Sequence, residues 1–184
     1  MLYTRKGDDG TTKKFDCDQR FSKSSAVAEA LGTLDEVNSF LGVVKVESTE
    51  SGFTLEDGRK FDELVHIVQK DIFIIQAEVA GAEKNINEDK VKWLEEIIDG
   101  VEKELPPINS FFISGGTKLG AFFDFARTVA RRAERGVIAV CDEGTIEIGQ
   151  NTKAYLNRLS SFLYAMARLS VHKSGITEQS PDYL

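Results

Sequence analysis

Between residues 24 and 173 apolar side chains recur every three or four positions, interrupted only by short polar stretches. That period is the mark of amphipathic helices. The chain has only three prolines, and two of them sit together at Pro106-Pro107, so helix breakers are confined to linkers. The spacing predicts five helices over about 24–47, 57–83, 88–104, 117–141 and 151–173, with breaks at 48–52, 85–87, 106–116 and 143–149. No internal repeat or low-complexity tract intervenes. The expected fold is an all-α antiparallel five-helix bundle in one domain, 1–184, with a polar N-terminal segment (1–23), the bundle (24–173) and a short tail (174–184). A chain of 184 residues can bury a single core of that kind without staples.

Charge narrows the partners. The 30 acidic against 23 basic residues leave a net charge of -7, which excludes the broadly basic face that nucleic-acid binding needs. No apolar run approaches the ~20 residues of a membrane span, and the charged start lacks a signal-type apolar stretch. Cys17 and Cys141 belong to no metal-ligand or redox spacing, so unpaired thiols in a cytoplasmic protein are expected. Locally the balance reverses. Residues 1–23 carry six Lys or Arg against four Asp, and 127–135 carries four Arg against one Glu. Two basic islands in an acidic chain suggest a small polyanion as ligand.

Helical projection, at about 100° per residue, places these charges relative to the core. Ala26, Ala30, Leu34, Val37, Leu41 and Val44 form one stripe, with Asp35 and Ser39 opposite. Phe122, Ala126, Val129, Ala133 and Val140 form another, with Arg127, Arg131 and Glu134 turned away from it. In the last helix Tyr155, Leu159, Phe162, Leu163 and Met166 face inward, and Asn157, Ser161, Tyr164 and Arg168 line the far side. Three helices therefore carry polar rows opposite the core.

The stretch ARTVARRAERGV stacks Arg127, Arg131 and Arg135 four residues apart, a spacing at which like charges repel by a few tenths of a kcal/mol per pair. Two readings stand: a solvated face partly neutralised by Glu134, or a phosphate clamp, for which planar guanidinium forks are suited. TRKGDDGTTK is either a frayed start or an anion loop, in which Gly7 and Gly10 bring backbone N–H groups close and Thr4, Thr11, Thr12 and Lys13 add donors. It is neither a GxxxxGK[ST] loop nor a GxGxxG turn. Glu63 and His66 have the ExxH spacing of di-iron bundles, but the second histidine, His172, has Leu169 three positions earlier, so no di-iron site is expected. No Ser/His/Asp or Cys/His arrangement supplies a nucleophile. Phe111 and Phe112 in the linker before the fourth helix either plug the end of the bundle or wall an apolar ligand site.

Taken in order, YTRKGDDGTT, KSSAVAEALGTLDEVNSFLG, FFISGGT, ARTVARRAER and NRLSSFLY resemble the PduO-type ATP:cob(I)alamin adenosyltransferases, from about Tyr3 to Arg168. The resemblance implies a five-helix bundle assembled as a homotrimer, with ATP and a corrinoid bound between neighbouring subunits. It implies ATP contacts from Thr4, Arg5, Lys6, Gly7, Thr12, Lys13 and Lys23, completed by Arg131, Arg132, Glu134, Arg135 and Asn157. Asp35 and Arg127 match a pair that forms a salt bridge across the subunit boundary.

The implied reaction is attack of Co(I) of cob(I)alamin on the 5′ carbon of ATP with expulsion of triphosphate, Mg2+ sharing the leaving group's charge. Phe111 and Arg131 are the implied catalytic residues, Phe111 by displacing the lower axial ligand of cobalt and Arg131 at the triphosphate. No metal ligand among the protein side chains is implied. A cob(II)alamin reductase and an adenosylcobalamin-dependent acceptor enzyme are implied partners. A non-catalytic module that delivers ATP or adenosylcobalamin is the alternative. Three positions depart from the family pattern: Ser114 stands where proline is usual, Ser161 where aspartate is usual, and lysine is rare at Lys6. Ser114 implies a less restrained Phe111 loop.

Overall fold

The computed structural model describes residues 3, 5–13, 20–144 and 146–183. Five helices are present: α1 (Ala26–Ser51), α2 (Phe61–Val79), α3 (Glu88–Glu104), α4 (Lys118–Asp142) and α5 (Gln150–Lys173). The expectation of a purely helical chain needs one correction. The N-terminal segment holds a small antiparallel hairpin, β1 (Thr11–Lys13) with β2 (Arg20–Ser22), in the register Thr11 to Ser22 and Lys13 to Arg20. Cys17 lies outside the described residues, and Cys141 is a half-buried free thiol.

Side-chain caps set most helix starts. Ser25 accepts from the Ala28 N–H at 3.3 Å, Asn87 from Lys90 at 3.1 Å and Thr117 from Gly120 at 3.0 Å, each satisfying a first-turn donor. α1 runs through its expected break and stops at Gly52, which takes the left-handed conformation at φ 65°. α2 is shorter than expected at both ends. Before it, Leu55 N–H donates to Arg59 O and Phe61 N–H to Phe53 O around Gly58 at φ 88°, so residues 53–60 form a turn that excludes helix.

α4 packs against both α1 and α5, α1 also packs on α2, and α3 on α5. Contacts give the directions. Arg132 to Glu36 and Lys118 to Glu47 make α1 and α4 antiparallel, whereas Arg158 to Glu95 and Lys173 to Glu104 make α3 and α5 parallel. These are the directions of an alternating antiparallel bundle, in which helices adjacent in sequence run opposite ways and the third and fifth therefore run the same way. Leu41, Val44, Phe61, Ile72, Phe123, Phe162 and Met166 form part of a dry centre. Phe123, rather than Phe122, is the core residue at its turn of α4; Phe122 is half-buried, edge-on to Phe40 at 5.9 Å.

Two buried carboxylates of α2 cross this centre. Asp71 accepts from Lys90 Nζ at 2.5 Å and from the Tyr155 hydroxyl at 3.0 Å. Burial, reinforced by the Asp71 charge, pushes the Tyr155 phenol well above its ordinary pKa. Glu78 accepts from the Gly149 N–H at 2.7 Å and the Thr152 hydroxyl at 2.5 Å, capping α5, whose own N-cap is a glycine. We expect Asp71→Ala to cost ~2–3 kcal/mol, because it strips partners from two polar groups. In thermal denaturation that is a fall of roughly 4–12 °C for a chain of this size. Tyr155→Phe, which leaves the Lys90 contact in place, should cost about 1 kcal/mol. Equal melting temperatures for wild type and Asp71→Ala would show that the network does not carry this stability.

Candidate functional site

The outer faces of α4 and α5 form a groove with two chemically different halves that share Arg131. One half, about 370 Å³, is lined by Arg131, Glu134, Arg135, Ile138, Asp142 and Asn157. The other, about 550 Å³, is lined mainly by Ile108, Phe111, Phe112, Arg127, Arg131 and Tyr164, with Ser161 at its α5 side. The antiparallel packing of α4 on α5 brings these rows together, since Asn157 Nδ2 donates to Glu134 Oε1 at 3.2 Å.

Hydrogen bonding separates the arginines. Arg127 pairs with Asp124 at 3.2 Å and lies over the Tyr164 ring at 5.8 Å, while Arg132 is paired with Glu36 of α1. Glu134 is engaged by Asn157, whose own oxygen accepts from Arg158 at 2.8 Å. Arg131 and Arg135 have no carboxylate partner among the described residues and both are exposed. Neutralisation by Glu134 therefore does not account for the row. Two guanidiniums flank a cleft with their donors free, an arrangement suited to an anion.

The N-terminal loop is tied to its own hairpin. Arg20 donates to Thr11 O at 2.9 Å and to Lys6 O, and Lys23 Nζ donates to Gly7 O at 2.8 Å. Asp9 accepts from the Thr11 hydroxyl at 2.7 Å and the Thr11 N–H at 3.0 Å, which holds its carboxyl below the usual range. Arg5 takes φ 58° and lies over the Tyr3 ring at 5.4 Å. Lys6 and Lys13 are exposed, Gly7 and Thr12 half-buried; Thr4 falls outside the described residues. β2 leads into α1 three residues on, and a Cβ on Gly136 of α4 would meet Ala30 at 3.5 Å. The hairpin thus hangs at the end of the bundle that carries Arg135. Sequence reasoning missed the part Arg20 plays in tying this loop, because the contacts depend on a hairpin whose three-residue strands leave no readable pattern.

At the other end, Phe111 is 80% exposed, which rules out the plug. Phe112 is half-buried, with the Arg168 guanidinium over its ring at 4.9 Å. Arg168 itself corrects an expectation: it does not line the far side with Asn157 and Ser161 but is buried and paired with Glu178 at 2.8 Å. The period of α5 could not show this, because the partner lies beyond the helix. The tail folds back and covers Arg168. Burial pushes the Tyr164 phenol up, Glu178 and Asp124 adding to the rise while Arg168 and Arg127 oppose it. The glycine pair has a packing reason, since a Cβ on Gly116 would come within 3.1 Å of Val171, and Gly115 takes φ 103°. Asp35 is exposed on α1 with no ion-pair partner among the described residues; Arg127 pairs locally instead.

A helical bundle with a cationic half-groove beside an apolar half-groove is suited to two unlike small molecules. Comparison with known proteins carries the class further. The sequence pattern of the Cobalamin adenosyltransferase family matches residues 2–170, and the chain belongs to that family of transferases. It is 37% identical to a corrinoid adenosyltransferase of Bacillus subtilis over 180 residues, covering 95% of this chain and 89% of the relative. It is 34% identical to the corrinoid adenosyltransferase PduO of Salmonella typhimurium over 194 residues, covering 100% of this chain but 54% of that one, so the chain spans about half of that longer protein. A variant PduO-type ATP:corrinoid adenosyltransferase from Lactobacillus reuteri, complexed with cobalamin and ATP, superposes with a TM-score of 0.87 at 26% identity, covering 100% of this chain and 97% of the other.

Exposure makes a test possible at once. Phe111→Ala should change unfolding free energy by no more than ~0.5 kcal/mol, whereas Phe123→Ala, which empties a fully buried site, should cost ~3–5 kcal/mol. Chemical denaturation of both variants measures the difference. A large loss in Phe111→Ala would return that ring to the core.

Proposed function

We propose that the α4–α5 groove is where this corrinoid adenosyltransferase transfers the 5′-deoxyadenosyl group of ATP to Co(I) of a corrinoid, giving adenosylcobalamin and triphosphate. The observation that carries the proposal is the division of the groove at Arg131, with free guanidiniums on one side and Phe111, Phe112 and Ile108 on the other. Such a site holds a polyanion and a large apolar ring system with their reacting ends adjacent. The cobalt lone pair attacks the 5′ carbon, and the carbon–oxygen bond electrons leave with triphosphate, so the protein supplies no nucleophile. Its work is alignment and neutralisation of the leaving group.

Arg131 and Arg135 take the triphosphate, with Asn157 and Glu134 fixed by their mutual hydrogen bond at the nucleotide. The N-terminal loop, with Thr4, Arg5, Lys6, Gly7, Thr12 and Lys13, closes over the phosphates from the Arg135 end. Lys23 acts through Gly7, and Arg132 through its pair with Glu36. Mg2+ would be carried by the triphosphate and share the leaving group's charge; among the described residues no group of three or more His, Cys, Asp or Glu is placed to hold a metal ion. Phe111, on the apolar side, displaces the lower axial ligand of cob(II)alamin and eases its reduction to the Co(I) nucleophile.

The second subunit completes the site in a homotrimer. Phe125 (52% exposed) and Val43 (46%) lie beside Phe40 on the outer α1–α4 face, an apolar surface suited to burial against another copy. There Asp35 would meet Arg127 of a neighbour. No helix among the described residues is long and apolar enough to cross a membrane. We place the enzyme in the cytoplasm, served by a cob(II)alamin reductase and feeding an adenosylcobalamin-dependent enzyme.

An anaerobic assay with ATP, Mg2+ and chemically reduced cobalamin tests the reaction: triphosphate release with formation of the cobalt–carbon chromophore is expected, and binding without release would leave only a delivery module. Arg131→Ala should fold normally and raise the KM for ATP by one to two decades, since a charge-assisted contact is worth ~1.5–3 kcal/mol. Kinetics like the wild type would make the row a solvated face. Asp35→Ala should weaken the trimer, read by light scattering, because Arg127 of the neighbour would lose the carboxylate that reaches it across the boundary and keep only Asp124; a wild-type monomer at micromolar concentration would rule out the shared site.

A further inference from the structure

The loop carrying Phe111 and Phe112, residues 106–116, has no helix or strand of its own. Among the described residues, its backbone makes one hydrogen bond to another backbone group outside the helices, from Ile113 N–H to Gln179 O at 2.8 Å. That acceptor belongs to the C-terminal tail. The tail is turned back by Gly175 at φ 70°, with Ile176 N–H donating to Val171 O at 3.3 Å, so it runs alongside the end of α5 toward the loop. A second tie joins the Ser110 and Ser180 hydroxyls at 2.7 Å.

The third tie is the strongest. Arg168 donates through Nε to both oxygens of Glu178, at 2.9 and 3.0 Å, and through Nη2 to Glu178 at 2.8 Å. The same Nη2 reaches Pro106 O at 3.2 Å, and the guanidinium plane covers Phe112 at 4.9 Å. One buried cation thus grips the tail, the first residue of the loop and a ring beside Phe111. Beneath these ties lies a cavity of about 250 Å³, lined by Phe112, Ile113, Ser114, Arg168, Glu178 and Gln179 among others. Over this cavity the loop is held from the tail. Ser114 adds no ring to fix the backbone, and the neighbouring Ile113 N–H is held by Gln179 O.

We propose that Arg168 and Glu178 are positioning residues for the corrinoid half of the site: the C-terminal segment 176–180 is a clamp that sets where Phe111 stands. This rests on the role given to Phe111 above. Neither residue touches the reacting atoms, so the effect falls on the corrinoid and spares the nucleotide. A charge-assisted clamp of this geometry is specific to the paired fork, and glutamine at 178 would keep an acceptor but lose the charge.

Glu178→Ala and Glu178→Gln in the full chain test it, each checked for an unchanged trimer and helix content by light scattering and circular dichroism. Glu178→Ala should raise the KM for cobalamin about tenfold while that for ATP moves less than about twofold, since misplacement of a positioning loop degrades only the contacts it carries. Glu178→Gln should fall between. Amide exchange across 106–116 should quicken, and electron paramagnetic resonance with ATP and cob(II)alamin should show less four-coordinate cobalt. In the Phe111→Ala background the added Glu178→Ala change should have little further effect, because both act through one loop. A lower melting temperature with unaltered cobalamin KM and unaltered loop exchange would overturn the proposal, leaving a purely structural tie. Tighter cobalamin binding in Glu178→Ala would also overturn it, since the tail would then obstruct the cleft. If the wild type itself gives only five-coordinate cobalt, the reading of Phe111 fails, while loop exchange and the KM split still decide the clamp.

Discussion

Asp71 and Glu78 lie on one face of α2 and both reach α5: Asp71, whose charge is met by Lys90 of α3, also takes the Tyr155 hydroxyl, and Glu78 caps the helix at Gly149 and Thr152. Buried carboxylates are costly unless fully hydrogen-bonded, so these contacts fix the height and rotation of α5 more sharply than apolar packing alone would. Everything at the groove follows from that placement. Asn157, Ser161, Tyr164 and Arg168 occupy successive turns of α5, and a slip of one residue would carry each of them about 100° around the helix. α4 then needs only its small residues to close on this fixed partner, as at Gly120, where a Cβ would come within 3.0 Å of Val171.

Much of this was legible in the sequence because helical period reports which face is buried, and α3 was placed at the residues expected. Helix ends were less legible. Residues 57–60 have helix-compatible composition, yet the turn at Gly58 and the Thr54 to Lys60 bridge claim their backbone groups first. The hairpin was invisible for a different reason: its strands have three residues each and are mostly polar, too short for an alternating pattern. Arg127, Arg131 and Arg135 fell on an outer face as their spacing requires. Their partners were readable only in part: Asp124 lies three residues before Arg127 on the same helix, whereas Glu36 and Glu178 reach Arg132 and Arg168 through tertiary placement rather than period.

Arg168 shows the limit of projection most clearly. It shares a helical face with Asn157 and Tyr164, so periodicity puts all three in water. The face, however, is not uniform along its length: its far end is roofed by ten residues of tail, and there the same orientation means burial. An amphipathic pattern fixes direction from the helix axis. It does not say whether another segment waits in that direction.

Residues that break folding rules cluster around the groove. An Arg row repels itself, a phenylalanine stands 80% exposed, and Arg5 holds a positive φ that non-glycine residues rarely take. Each is a local conflict with stability, whereas most helix starts are capped and the core is apolar apart from the bonded carboxylates of α2 and a few small polar side chains. The conflicts divide by chemistry: cations at the hairpin end, exposed aromatics at the tail end. A single ligand type would not require both. The proposed pair of ligands of opposite character, meeting at Arg131, would require the protein to leave donors unpaired at one end of a groove and an apolar ring uncovered at the other. That is the physical sense in which a bundle with no nucleophile and no metal cluster among its described side chains can still serve a displacement reaction: the reacting groups belong to the substrates, and the fold contributes a fixed separation between a charged seat and an apolar one.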